Sequence, residues 1–315
     1  MPKKNVVNLS LNVSYHCNFR CGFCYLTEKQ LSDTKKISLE SLKNRLDDIE
    51  RAGYHIGHVD LYGGEVLLLS FDYLIAVKKL LRFYGAEDIE IITNLSTYRE
   101  DIVEDNNFGI SVSYDFQHRQ QSDHVWKNML KVNRDFTILT LGIPEIVRTD
   151  PMEFIEQINL LSHCKHWEIK PYSANQANQL DVSYEEYEEF IKKIIEYPNK
   201  KFEFLNKVAL DMAVHSDANP YSDDHVYITP NGTFAVLEFD ANDNEYFQEL
   251  HTFQQYLDWT LLEKSRVLSN EFCGTCNYSG RCISEHLREV KTVDQSCNGF
   301  YKLINWYEKK NYGSS

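Results

Sequence analysis

An α/β fold built on a mainly parallel sheet is what this sequence predicts, and three observations carry the prediction. Apolar and polar residues alternate with period two in a series of short segments. Stretches with apolar residues at helical spacing separate those segments. Six such strand–helix pairs follow one another between residues 6 and 200, after which the pattern changes. Alternation of this kind implies right-handed crossovers between parallel strands, with ligand sites at the C-terminal strand ends.

The first strand reads from Val6 to Tyr15, with Val7, Leu9, Leu11 and Val13 alternating against Asn8, Ser10, Asn12 and Ser14. Ser38 then caps a helix in which Leu42, Leu46 and Ile49 recur at helical spacing up to Ala52-Gly53. An apolar run from Ile56 forms the second strand and delivers Gly63-Gly64-Glu65 to its end. A helix near Phe71 to Tyr84, a strand at Ile89 to Thr93, a short helix near Tyr98 to Glu104 and a strand at Gly109 to Tyr114 follow. Next come a helix near Asp123 to Asn133, a strand at Phe136 to Val147, a helix at Pro151 to Ser162 capped by Asp150, and a strand at Trp167 to Tyr172. The last helix of the series, Ser183 to Tyr197, carries Glu185, Glu186, Glu188 and Glu189, which read as a solvated face. Beyond Pro198, Val226 to Thr229 and Thr233 to Glu238 flank Pro230-Asn231-Gly232, the pattern of a β-hairpin with Asn-Gly at its turn. A helix near Phe253 to Leu268 follows, and no internal repeat or low-complexity segment is present.

A length of 315 residues suits one α/β core with a small appendage, divided here into residues 1–200 and 201–315. No apolar run approaches the roughly twenty residues of a membrane helix, which excludes a membrane-spanning role. Met1-Pro2-Lys3-Lys4-Asn5 leads into the first strand without an apolar signal region, so a cytoplasmic location is expected. The formal charge of −14 opposes binding to a phosphate backbone and excludes nucleic acid as the expected partner.

Cys17, Cys21 and Cys24 place three thiols within eight residues, poor disulfide partners for one another and good ligands for one metal centre. A [4Fe–4S] cube has four ligand positions, so three cysteines leave one iron open to another ligand. A zinc knuckle completed by His16 is the plain alternative. At the end of the second strand, Gly63 and Gly64 permit close approach to the backbone, and Glu65 can accept hydrogen bonds from an ammonium group. Cys273, Cys276, Cys282 and Cys297 supply four thiolates, the complement of a closed Fe–S or zinc site. Cys164 lies far from either group and reads as a buried spare thiol.

The spacing C-x3-C-x2-C, with aromatic Phe23 just before the third cysteine, resembles the signature of the radical S-adenosylmethionine (radical SAM) superfamily. Gly63-Gly64-Glu65, about forty residues further on, resembles the GGE motif that holds the amino group of the methionine part of SAM. The resemblance implies a partial (β/α)6 barrel over about residues 6 to 200. It also implies a [4Fe–4S] cluster on Cys17, Cys21 and Cys24, with SAM on the open iron, that yields a 5′-deoxyadenosyl radical. Phe23 matches the residue whose backbone meets adenine. Asn94, Ser113, Asp115 and Ile143 stand at strand positions of further SAM contacts.

The C-terminal segment resembles the SPASM extension, which carries two auxiliary clusters in its full form. Here Leu237 and the stretch Ser284-Glu285-His286 stand where cysteines of the inner auxiliary cluster are expected. Cys273, Cys276, Cys282 and Cys297 match the outer one, which implies a single auxiliary [4Fe–4S] cluster. Most SPASM-bearing relatives modify peptides or proteins. The first expectation is therefore hydrogen abstraction from a ribosomally made peptide, leading to a crosslink, an epimerisation or an oxidation. About sixteen residues precede Cys17, so leader-peptide recognition would need a separate protein or another surface. An external flavodoxin- or ferredoxin-like electron donor is also implied. Glu238 follows Leu237 where some relatives carry a general-base Asp, although a solvent-facing hairpin residue is the bland reading. A small-molecule dehydrogenase or epimerase is the alternative enzyme, and a non-catalytic Fe–S or zinc scaffold the third reading. A scaffold has no need of Gly64 and Glu65.

Overall fold

The computed structural model describes residues 5–172, 177–237, 247–283, 297 and 300–313. Strands β1 (Asn5–Ser14), β2 (Tyr54–Gly63), β3 (Asp88–Thr93), β4 (Gly109–Ser113), β5 (Phe136–Gly142) and β6 (Cys164–Pro171) lie side by side in sequence order, every pair parallel. A short β7 (Glu203–Phe204) extends the sheet beyond β6. On the opposite flank β8 (His225–Ile228) runs parallel to β1, and β9 (Phe234–Leu237) and β10 (Phe247–Leu250) continue it antiparallel. The sheet order is β10-β9-β8-β1-β2-β3-β4-β5-β6-β7, with no pairing among the described residues that closes it. This is the open, partial barrel expected of the α/β class.

The alternation along β1 explains how the sheet is covered. Val7, Leu9, Leu11 and Val13 are at most 1% exposed and share one core with Leu42, Leu46 and Ile49 of the helix Leu39–Arg51. Burying each such side chain contributes about 1.5–3 kcal/mol. The polar face is not solvated: Ser10 and Asn12 are also buried, and Ser10 lines a cavity enclosed by the curved sheet. Period-two polarity in these strands therefore marks the inside of a barrel rather than its surface.

The expected caps form as read. Ser38 accepts a hydrogen bond from the Ser41 amide and Asp150 from the Met152 amide; at Ser183, where no cap was expected, a reciprocal capping box forms with Glu186. The strand expected to run to Val147 ends at Gly142, because Pro144 lacks a ladder donor and instead opens a helix at Pro144–Val147. The hairpin turns at Asn231-Gly232, with Gly232 at φ +79°. β8 sits directly on β1, pairing Val226 with Leu9, so the C-terminal segment continues the barrel sheet. The helices Leu205–His215 and Tyr301–Tyr312 were not anticipated; each buries only a few apolar residues and gives a weak periodic signal. Glu238 and Ser284-Glu285-His286 lie outside the described residues.

Candidate active site

The chain leaves β1 at Ser14 and enters a loop pinned mostly by its own backbone. The Cys17 amide donates to Leu31 O at 3.0 Å and the Cys24 amide to Cys21 O at 3.1 Å. The Arg20 guanidinium donates to the carbonyls of Cys17 and Phe19, both at 2.8 Å. Phe19, Phe23 and Leu26 are buried anchors, and a Thr27–Gln30 capping box starts the helix Glu28–Ser32 that ends the loop.

This loop presses against the end of β2. The Gly64 amide donates to Ser14 O and the Glu65 amide to His16 O, both at 2.8 Å. Gly63 has φ +122°, and a Cβ there would lie 2.4 Å from Ser14 O; at Gly64 it would lie 2.1 Å from His16 O. Both glycines are thus demanded by the approach of the cysteine loop, in addition to any ligand. Glu65, expected to meet an ammonium, is 2% exposed, and its carboxylate accepts from Thr93 Oγ1 at 2.6 Å, the Asn94 amide at 2.7 Å and the Leu67 amide at 2.9 Å. Burial raises its pKa, against the opposing pull of these three hydrogen bonds.

Cys17, Cys21 and Cys24 share the wall of one cavity of about 510 Å³, together with Phe23, Gly63, Gly64, Asn94 and Ser113. The sheet thereby gathers five of the eight residues expected to contact SAM. Glu65, Asp115 and Ile143 stand behind the wall: Asp115 is fully buried and accepts from the Leu141 amide at 2.6 Å, and Ile143 caps the helix Pro144–Val147. Burial raises all three thiols above their ordinary pKa, Cys24 to about 11. The Phe19 amide donates to Cys17 Sγ at 3.4 Å, and Asn94 Nδ2 lies 3.7 Å from the same sulfur.

Arg119 belongs to this site and escaped the sequence reading. It lines the cavity, pairs with the Asp115 carboxylate at 2.6 Å, and holds its guanidinium carbon 5.3 Å from the centre of the Phe23 ring. Its sole sequence signal is the spacing Asp115-x3-Arg119 just past a strand, which resembles any surface ion pair.

The donor set can be tested against the metal it would hold. One zinc ion at 2.3 Å from each sulfur brings thiolates to about 3.8 Å from one another. Among the described residues, the group of three or more ligand atoms mutually within 4.8 Å is His58, Asp60 and Glu90, not either set of cysteines. Cys17, Cys21 and Cys24 do not bring their three sulfurs within that distance of one another, wider than one zinc ion draws them, and His16, which would complete a zinc knuckle, does not line their cavity. Cys17, Cys21 and Cys24, on one cavity wall, would hold a three-ligated [4Fe–4S] cluster, and the donor set fits that group.

The second thiol group backs onto the same cavity. Asn270 caps the short helix Glu271–Thr275, accepting from the Cys273 amide at 2.9 Å, and the Tyr278 amide donates to Cys276 Sγ at 3.4 Å. Burial raises the Cys273 thiol to about 11, with further contributions from Cys297, Cys282 and Cys276. Tyr221 and Cys273 both pack against Val267, and Tyr221 also lines the cavity, as does Ile283 next to Cys282 in the chain. Cys164, buried and donating to His166 O at 3.4 Å, is a spare thiol remote from both groups.

Comparison with known proteins agrees with this geometry. Residues 11–118 match the Radical SAM superfamily. The fold is similar to that of native anSMEcpe with bound AdoMet, with a TM-score of 0.69 and 14% identity over 96% of each chain. It is similar also to Streptococcus suis SuiB bound to precursor peptide SuiA, with a TM-score of 0.63 and 15% identity over 91% of this chain and 73% of that one. A third structure, anSMEcpe with bound AdoMet and a Cp18Cys peptide, aligns at a TM-score of 0.69 and 14% identity, over 97% of this chain and 96% of that one. Residues 11–118 thus carry the match to the Radical SAM superfamily, and the open parallel barrel with its C-terminal extension has the fold of these solved structures.

Proposed function

We propose that this chain cleaves AdoMet reductively and abstracts a hydrogen atom from a peptide, as a cytoplasmic enzyme of the SPASM type. The observation that carries the reading is the convergence of Cys17, Cys21 and Cys24 with Gly63 and Gly64 on one cavity at the C-terminal strand ends. When bound, a three-cysteine [4Fe–4S] cluster with AdoMet supplies the 5′-deoxyadenosyl radical that takes the hydrogen atom. Cys17, Cys21 and Cys24 hold the cluster. Phe23, Gly63, Gly64, Asn94 and Ser113 form the AdoMet-facing wall, while Glu65, Asp115 and Ile143 fix the strand ends behind it. The apolar part of that wall keeps water from the reacting atoms.

The peptide class is supported by the structural relatives, of which SuiB binds a precursor peptide and anSMEcpe a Cp18Cys peptide. Cys273, Cys276, Cys282 and Cys297 hold one auxiliary [4Fe–4S] cluster in this reading. Glu238 is the proposed general base, a separate protein recognises the leader, and a flavodoxin- or ferredoxin-like partner delivers the electron. Among the described residues no helix is long and apolar enough to cross a membrane.

The test is anaerobic reconstitution followed by an assay for 5′-deoxyadenosine. Cys17→Ala, Cys21→Ala and Cys24→Ala combined should abolish its formation and leave about four irons at the C-terminal site. Continued 5′-deoxyadenosine formation by that variant refutes the assignment. With a modified peptide in hand, Glu238→Gln should still cleave AdoMet but form far less product, and undiminished product returns Glu238 to the hairpin surface.

A further inference from the structure

The segment following β4 does more than close the barrel wall. Phe116 at φ +52° and Gln121 at φ +54° are left-handed non-glycine residues that bracket Arg119, and strain of this kind persists where the surroundings enforce it. Two anchors do so. Asp115, fully buried, holds Arg119 at 2.6 Å, and Gln120 Oε1 accepts from the Arg20 amide of the cysteine loop at 2.7 Å. The result is a guanidinium, 15% exposed at its side chain, on the same cavity wall as Cys17, Cys21 and Cys24.

We infer that Arg119, positioned by Asp115, sets the reduction potential of the cluster held by Cys17, Cys21 and Cys24; the inference rests on the function proposed above. One-electron reduction adds a negative charge to a cluster already bearing three thiolates. A fixed cation beside it stabilises the reduced form and raises the potential, and potentials of such clusters follow net charge and burial. Asp115 opposes Arg119 electrostatically while holding it in place, so the two residues act on the cluster with opposite signs.

The test is a redox titration of the reconstituted full-length chain, followed by electron paramagnetic resonance without AdoMet. The relevant signal is the one that changes when AdoMet is added afterwards. Arg119→Gln should make this cluster about tenfold harder to reduce, a fall of about 59 mV for one electron. Arg119→Lys keeps the charge and should stay within about threefold of the native equilibrium, or roughly half that shift. Asp115→Asn removes the opposing charge and should move the midpoint upward. An unchanged midpoint in Arg119→Gln, with AdoMet bound more weakly, would assign Arg119 to a ligand carboxylate and overturn the inference. Should Arg119→Gln fail to take up iron, Asp115→Asn decides: an upward midpoint supports the tuning, and an unmoved or lowered one overturns the inference. A native chain with no AdoMet-responsive signal would sink the parent function as well, and that result is distinct from an unmoved midpoint.

Discussion

The backbone amide of Asn94 donates a 2.7 Å hydrogen bond to the Glu65 carboxylate, tying the end of β3 to the end of β2 behind the cavity wall. With Thr93 Oγ1 and the Leu67 amide, this gives the carboxylate three donors from the chain itself. Glu65→Ala would leave three buried donors without an acceptor, a loss of roughly 3–5 kcal/mol. Urea unfolding of the iron-free chain should therefore show a lower midpoint for Glu65→Ala. If stability is unchanged and only AdoMet affinity falls, Glu65 serves the ligand ammonium instead.

Gly64→Ala should act on the cysteine loop. The added Cβ would lie 2.1 Å from His16 O and 2.5 Å from Tyr15 O, both backbone atoms that cannot yield as a side chain tip does. Loss of the Gly64 amide contact to Ser14 O would then displace the three thiols. Iron per reconstituted chain should drop from about eight toward about four. Full iron uptake by Gly64→Ala would mean that the loop docks without this close approach.

Much of this was legible in the sequence because it is local. The alternation in β1, the caps at Ser38 and Asp150, and the Asn231-Gly232 turn are each set within a few residues, and each forms as expected. What escaped is what tertiary packing decides. Gly63 and Gly64 were read as making room for a ligand, yet the neighbour that crowds them is the chain at Ser14 and His16, fifty residues earlier. Arg119 and the docking of β8 on β1 depend on contacts between distant segments and leave no periodic trace.

His58 gives a pH-dependent prediction. Its Nε2 lies 2.9 Å from Asp60 Oδ1, and this hydrogen bond raises the His58 pKa above the ordinary 6.5. A raised folded-state pKa means that the stabilisation is fully present below pH 6.5 and is lost as pH climbs through the folded value. With 38% of the side chain exposed, solvent screening keeps the contribution under about 1 kcal/mol. His58→Gln should thus lower the melting temperature slightly at pH 5.5 and leave it unchanged at pH 9. An equal loss at both pH values would point to packing rather than charge.

The four C-terminal thiols supply the last prediction. Cys273 packs on Val267 together with Tyr221, which lines the cavity, and Ile283, next to Cys282 in the chain, lines it too, so the extension that carries these thiols forms part of the cavity wall. A closed cluster with four thiolates has no open iron, so it cannot bind AdoMet, but it can exchange electrons with a substrate radical. Replacing Cys273, Cys276 and Cys282 with Ser should remove about four irons and leave dithionite-driven 5′-deoxyadenosine formation in place. Formation of modified peptide should fail in the same variant, because the radical loses its nearby electron acceptor. A native chain with only about four irons and one zinc would exclude the auxiliary cluster. Retained product formation by the Ser variant would instead leave the cluster present and deny it that electron-transfer role.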